Sequence, residues 1–73
     1  MTTQAIQDQA AYLYDACEEV AVAPNGDRWA VFDGPGGPLV DTVDKAVLHH
    51  LDDNYDLPVW LLDGTPWITA ARA

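Results

Sequence analysis

The stretch Val20-Ala21-Val22-Ala23-Pro24-Asn25-Gly26-Asp27-Arg28-Trp29-Ala30-Val31-Phe32-Asp33 decides the fold. Two alternating runs flank Asn25-Gly26, and both of those residues tolerate positive φ, so the segment reads as a β-hairpin. Trp29 and Val31 share one face of its second strand, and Ala30 and Phe32 share the other. Gly34-Pro35-Gly36-Gly37-Pro38 follows and must be a turn. Leu39-Val40 then reads as a short third strand, with Pro38 tolerable at its start.

Upstream of the hairpin the period changes. Ile6, Ala10, Leu13, Cys17 and Val20 recur at spacings of four and three, the stripe of an amphipathic helix. Thr2 or Thr3 caps its start. Asp8, Asp15, Glu18 and Glu19 fall on its polar side. Glu18 and Glu19 stand at the negative end of the helix dipole, the wrong end for acids. Either the helix stops near Cys17, or those acids serve another purpose.

Downstream, Asp41 or Thr42 is expected to open a second helix, with Asp41 and Asp44 resembling a capping box. Val43, Val47, Leu48, His50 and Leu51 form its apolar side. It ends in Asp52-Asp53-Asn54-Tyr55-Asp56. Leu57 to Asp63 reads as a strand, Asp63-Gly64-Thr65-Pro66 as a turn, and Trp67 to Ala70 as a closing strand. The expectation is one α+β domain over residues 1–73, in the order α-β-β-(β)-α-β-β. Two helices would cover a small antiparallel sheet of four to five strands.

Charge is the strongest global property. Twelve acids face three bases, Arg28, Lys45 and Arg72, for a formal net charge of −9. With 49% hydrophobic residues the chain has the apolar surface that disordered acidic tails lack. The charge argues against direct binding of nucleic acid or an anionic membrane, since both require Lys and Arg contacts. It favours a basic protein or nucleoprotein partner, whose encounter an acidic field accelerates. Solubility alone is the simpler explanation. A single cysteine excludes an internal disulfide. No apolar run approaches a membrane span, and Met1 to Ala10 has neither the basic residue nor the apolar stretch of a signal peptide. A cytoplasmic location is the expectation.

Catalytic chemistry finds little support in the residues. His49 and His50 are adjacent, so on a helix they point about 100° apart and cannot share one ion. His49 and Asp53 form an i, i+4 pair able to share a metal, and that is the strongest metal candidate. Nothing nominates a nucleophile or a water for a histidine base. Cys17 lies on the apolar stripe and is followed by two acids that disfavour a thiolate, so it reads as a small buried hydrophobe. The glycine-rich loop leads to a strand and carries no lysine, unlike a phosphate cradle. No enzyme, cofactor or metal is therefore expected. The candidate partner-binding residues are Asp15, Glu18, Glu19, Asp44, Asp52, Asp53, Asp56 and Trp60. Trp60 is included because tryptophan is enriched at interface hot spots. Two rows of acids on the helices would imitate the phosphate charges of a duplex.

The stretch Asp15-Ala16-Cys17-Glu18-Glu19-Val20-Ala21-Val22-Ala23, followed by Trp29 and Asp33-Gly34, resembles the helix-then-strand opening of an acidic anti-CRISPR inhibitor of type I systems. The likeness covers about a quarter of the chain, and its second half departs from that pattern. Anti-CRISPR proteins share no common fold, so no site residue carries over. The resemblance implies a phage-encoded, stoichiometric inhibitor acting in the host cell as a DNA mimic on a Cas effector. The rival expectation is a small regulatory or antitoxin-like interaction module whose acidity serves only solubility. A homodimer through the terminal strand, a metal enzyme built on His49 and Asp53, and a structural phage protein are further alternatives.

Overall fold

A computed structural model describes residues 2–72 of the chain. Helix α1 spans Thr3–Ala16, and strands β1 (Val20–Asn25), β2 (Arg28–Asp33) and β3 (Leu39–Val43) follow it. Helix α2 spans Lys45–Asn54, strand β4 spans Val59–Leu61, and helix α3 spans Trp67–Arg72. The four strands form one sheet in the order β3-β2-β1-β4, so the protein is of the α+β class. The sheet is mixed and not the antiparallel one expected: β1 runs antiparallel to β2 but parallel to β4, because helix α2 carries the chain back across the sheet before β4.

The hairpin forms where the alternation places it, with Asn25 paired to Arg28. Its two loop residues are thus Gly26 and Asp27, not Asn25 and Gly26. Gly26 takes φ 65° and, among the described residues, no non-glycine residue has positive φ, the pattern of a type II′ turn. Helix α1 starts on Thr2, whose hydroxyl accepts a hydrogen bond from Ala5 N–H at 3.1 Å. It stops at Ala16, so Glu18 and Glu19 lie in the turn into β1 rather than on the helix.

Alternation sorts the sheet into two faces. Val20, Val22, Val31, Val43 and Val59 point to the helices and meet Ala10, Leu13, Val47, Leu48 and Leu51 in one core. Cys17 is buried in the same core. Its thiol pKa is raised, first by burial and then by the nearby Asp33 charge, which leaves it an inert packing group.

Three further expectations are corrected. The closing strand from Trp67 to Ala70 is helix α3. A turn led by Gly64 and Thr65 brings Pro66 back beside Trp60, and Thr69 N–H then bonds Pro66 C=O at 3.2 Å in a first helical turn. Trp67 is thereby driven wholly into the core. The second helix does not open at Asp41 or Thr42. The β-branched run through Val43 continues as β3 against β2, and Asp44 becomes the residue before the helix. The strand expected from Leu57 to Asp63 shortens to Val59–Leu61, because Pro58 lacks a backbone donor and Gly64 N–H turns the chain back onto Leu61 C=O.

One glycine is required by space. A Cβ on Gly37 would collide with the Asp33 carbonyl. The same loop closes β2 onto β3 through Asp33 N–H to Pro38 C=O at 3.1 Å. Gly37→Ala is expected to cost about 1–3 kcal/mol as the loop is forced apart, read as a lowered thermal midpoint.

Candidate acidic interface

Topology decides where the acids meet. Helix α1 turns directly into β1, and α2 turns into β4. Strands β1 and β4 are parallel, with Val20 beside Val59. The two helices therefore run the same way, and both C-termini reach one end of the molecule. The Tyr14 and Tyr55 rings meet there with centroids 4.9 Å apart. Strand β2 ends at the same place, because Asp33 pairs with Val20.

That end collects carboxylates. Asp15 comes from the last turn of α1, and Glu18 and Glu19 from the turn into β1. Asp52 and Asp53 come from the last turn of α2, and Asp56 from the loop to β4. Asp33 completes the group and accepts a hydrogen bond from Glu18 N–H at 3.0 Å. Seven of the twelve acids thus share one pole. Neither helix has a basic residue in its last turn, so both negative dipole ends add to the field.

Two of the three bases stand elsewhere. Arg28 starts β2 and Lys45 starts α2, both at the hairpin end of the molecule. Among the described side chains, no lysine or arginine stands at the acidic pole. Charge is therefore polarised along the fold instead of being scattered or drawn out in two helical rows. Seven charges equal those on about 12 Å of duplex at one per ~1.7 Å. The pole matches a contact of three to four base pairs, roughly, and no more.

Of the residues singled out from sequence, Asp15, Glu18, Glu19, Asp52, Asp53 and Asp56 come together. Asp44 does not. It follows β3 at the opposite end, where its carboxylate takes the Arg28 guanidinium at 2.9 Å. Asp33 was not among the candidates. Its place at the end of a strand whose register sets it beside Val20 was the only available signal. Trp60 lies on edge strand β4 with 38% of its surface exposed, on the sheet face away from the helices.

His49 and His50 take structural surroundings. The His49 ring packs edge-on to Trp67 with centroids 4.7 Å apart. His50 lies near Tyr55, and its carbonyl accepts from the Asn54 amide at 3.0 Å. Among the described residues, no group of three or more His, Cys, Asp or Glu side chains is arranged to hold a metal, and no helix is long and apolar enough to cross a membrane. No protein family, curated protein or solved structure matches the chain.

Proposed function

We propose that this protein is a non-enzymatic binding protein, a stoichiometric inhibitor of the anti-CRISPR type. In this reading its acidic pole occupies a basic, nucleic-acid-binding surface of the target as a decoy. The observation that carries the proposal is the polarity of charge. Acids at helix C-termini oppose the macrodipole and repel one another, at roughly 0.3–1 kcal/mol for each charge. A chain selected only for solubility has no reason to collect them at one end, away from Arg28 and Lys45. Among the described side chains the pole lacks the cations a nucleic acid requires, so the partner is a basic protein surface in the cytoplasm of a host cell. The rival, a regulatory or antitoxin-like module, assigns the acids to solubility and puts binding on apolar surface alone.

The test is competition. A purified type I surveillance complex is titrated with the protein in the presence of labelled target duplex. A decoy displaces the duplex at stoichiometric ratio, and the displacement weakens steeply between about 50 and 200 mM salt as screening sets in. Binding that leaves the duplex in place, or that ignores salt, supports the regulatory module instead.

A further inference from the structure

All three helices pack on one face of the sheet, and the other face is left without a helix among the described residues. The register defines what it presents. One row crosses all four strands as Trp60, Ala21, Phe32 and Leu39. Behind it lie Ala23, Ala30 and Thr42. Leu39 is 59% exposed. Ala21 and Ala30 are buried on this face, apart from the helix-side core. The apolar row is also the row next to the acidic pole. Asp33 pairs with Val20 one step beyond it, and Glu19 directly precedes Val20 in the turn into β1.

Neither sheet edge invites another strand. On β3, Thr42 N–H goes to the Asp41 carboxylate at 2.8 Å, and Thr42 C=O accepts from the Arg28 guanidinium at 2.7 Å. On β4, Leu61 N–H is taken by Thr65 C=O at 2.7 Å, and Pro66 lies beside Trp60. Side chains and a turn thus occupy backbone groups through which edge strands pair.

A second copy fits the open face poorly. Four strands at ~4.8 Å spacing and about four residues at ~3.3 Å give a patch of roughly 250 Å². A stable dimer buries about 800 Å² on each partner, and both copies would carry −9. An occupant of opposite charge removes both objections, because the adjoining pole then contributes to the same interface.

We infer that the open sheet face and the acidic pole form one composite interface, which takes a basic protein surface presenting an apolar side chain beside its lysines or arginines. The row Trp60, Phe32 and Leu39 is the apolar anchor, and Glu19 is the junction with the charged part. This inference rests on the acidic-decoy reading and adds the anchor that pure phosphate mimicry lacks.

The probes are two synthetic peptides of equal positive charge. One contains only Lys, Arg, Gly and Ser; the other has two of its Ser replaced by Leu. Affinities are measured for the native protein and for Leu39→Thr, and binding is mapped by amide chemical shifts. The Leu-containing peptide is expected to bind at least about tenfold tighter and to shift Ala21, Phe32, Leu39 and Trp60. Leu39→Thr should erase most of that gain and leave the all-polar peptide unchanged. Because Leu39 is exposed at the start of an edge strand, the variant retains the fold, which its circular dichroism spectrum verifies. Equal affinity for the two peptides overturns the composite interface while the charge reading stands. Salt-insensitive binding of the Leu peptide alone overturns both. A dimer in sedimentation that Leu39→Thr dissociates makes the occupant a second copy and also overturns the inference.

Discussion

Trp67→Ala is expected to remove a large share of the protein's stability. Trp67 is completely buried, the largest side chain in the core to be so. Its indole meets Trp29 edge-on at 5.8 Å and the His49 ring at 4.7 Å, so one side chain joins α3 to β2 and α2. Truncating a buried tryptophan costs about 3–5 kcal/mol. A domain of this length holds roughly 4–11 kcal/mol in total, so the loss takes about a quarter of the stability at best and all of it at worst. The indole N–H complicates the conservative variant in a useful way. Trp67 Nε1 is buried and has no hydrogen-bond partner, and an unsatisfied buried donor costs about 1–3 kcal/mol. Trp67→Phe removes that donor together with part of the ring. Its net cost is therefore expected to stay below about 2 kcal/mol. Urea unfolding followed by far-UV circular dichroism measures both. If Trp67→Ala kept the native midpoint, α3 would be a dispensable appendage and not part of the core.

The same residue shows where the sequence stops being legible. The hairpin was readable because alternation and a glycine-containing turn act locally and agree. Helix α1 was readable because Ile6, Ala10, Leu13 and Cys17 keep one stripe against the core. Residues from Trp67 onward are too few to display a period. A bulky aromatic, an Ile and a Thr then suggest a strand by propensity. What decides against it is tertiary: Pro66 has already come back beside Trp60, and the space under Trp29 accepts an indole. The boundary between β3 and α2 failed for a related reason. Asp41 and Asp44 both suit a helix start, and only pairing of Trp29 with Val43 shows that the strand runs on. Asp44 then makes no side-chain cap and turns to Arg28 instead. The acidic residues were legible as a composition but not as a place. Their assembly depends on β1 and β4 being parallel, a pairing between segments separated by two strands and a helix. No local pattern reports that pairing, and without it Asp33 has no visible connection to Asp53.

Asp53→Lys should raise stability and lower affinity together, and Asp27→Lys should do neither. Each substitution changes net charge by the same two units, so comparing them separates place from total. Asp53 is exposed in the last turn of α2, at the negative end of the dipole and among six other acids. Replacing an unfavourable charge there by a favourable one is worth roughly 0.6–2 kcal/mol at low salt, twice the effect of one charge. For a chain of this size that corresponds to about 3–15 °C in Tm. Asp27 is exposed in the hairpin turn beside Arg28, far from the pole. A lysine there gains no helix dipole and faces a neighbouring base, so Tm should hold or fall slightly. Affinity for a basic target should drop about tenfold or more for Asp53→Lys and much less for Asp27→Lys, with both differences shrinking as salt is added. Opposed changes in stability and binding at one position are what a charged functional surface predicts, since its residues are retained against the interest of the fold. Were both variants to lose affinity equally, net charge alone would govern binding, and the pole would be only part of a soluble coat. Were Asp53→Lys to destabilise, the carboxylates at this end would be structural, and the argument from the helix termini would collapse.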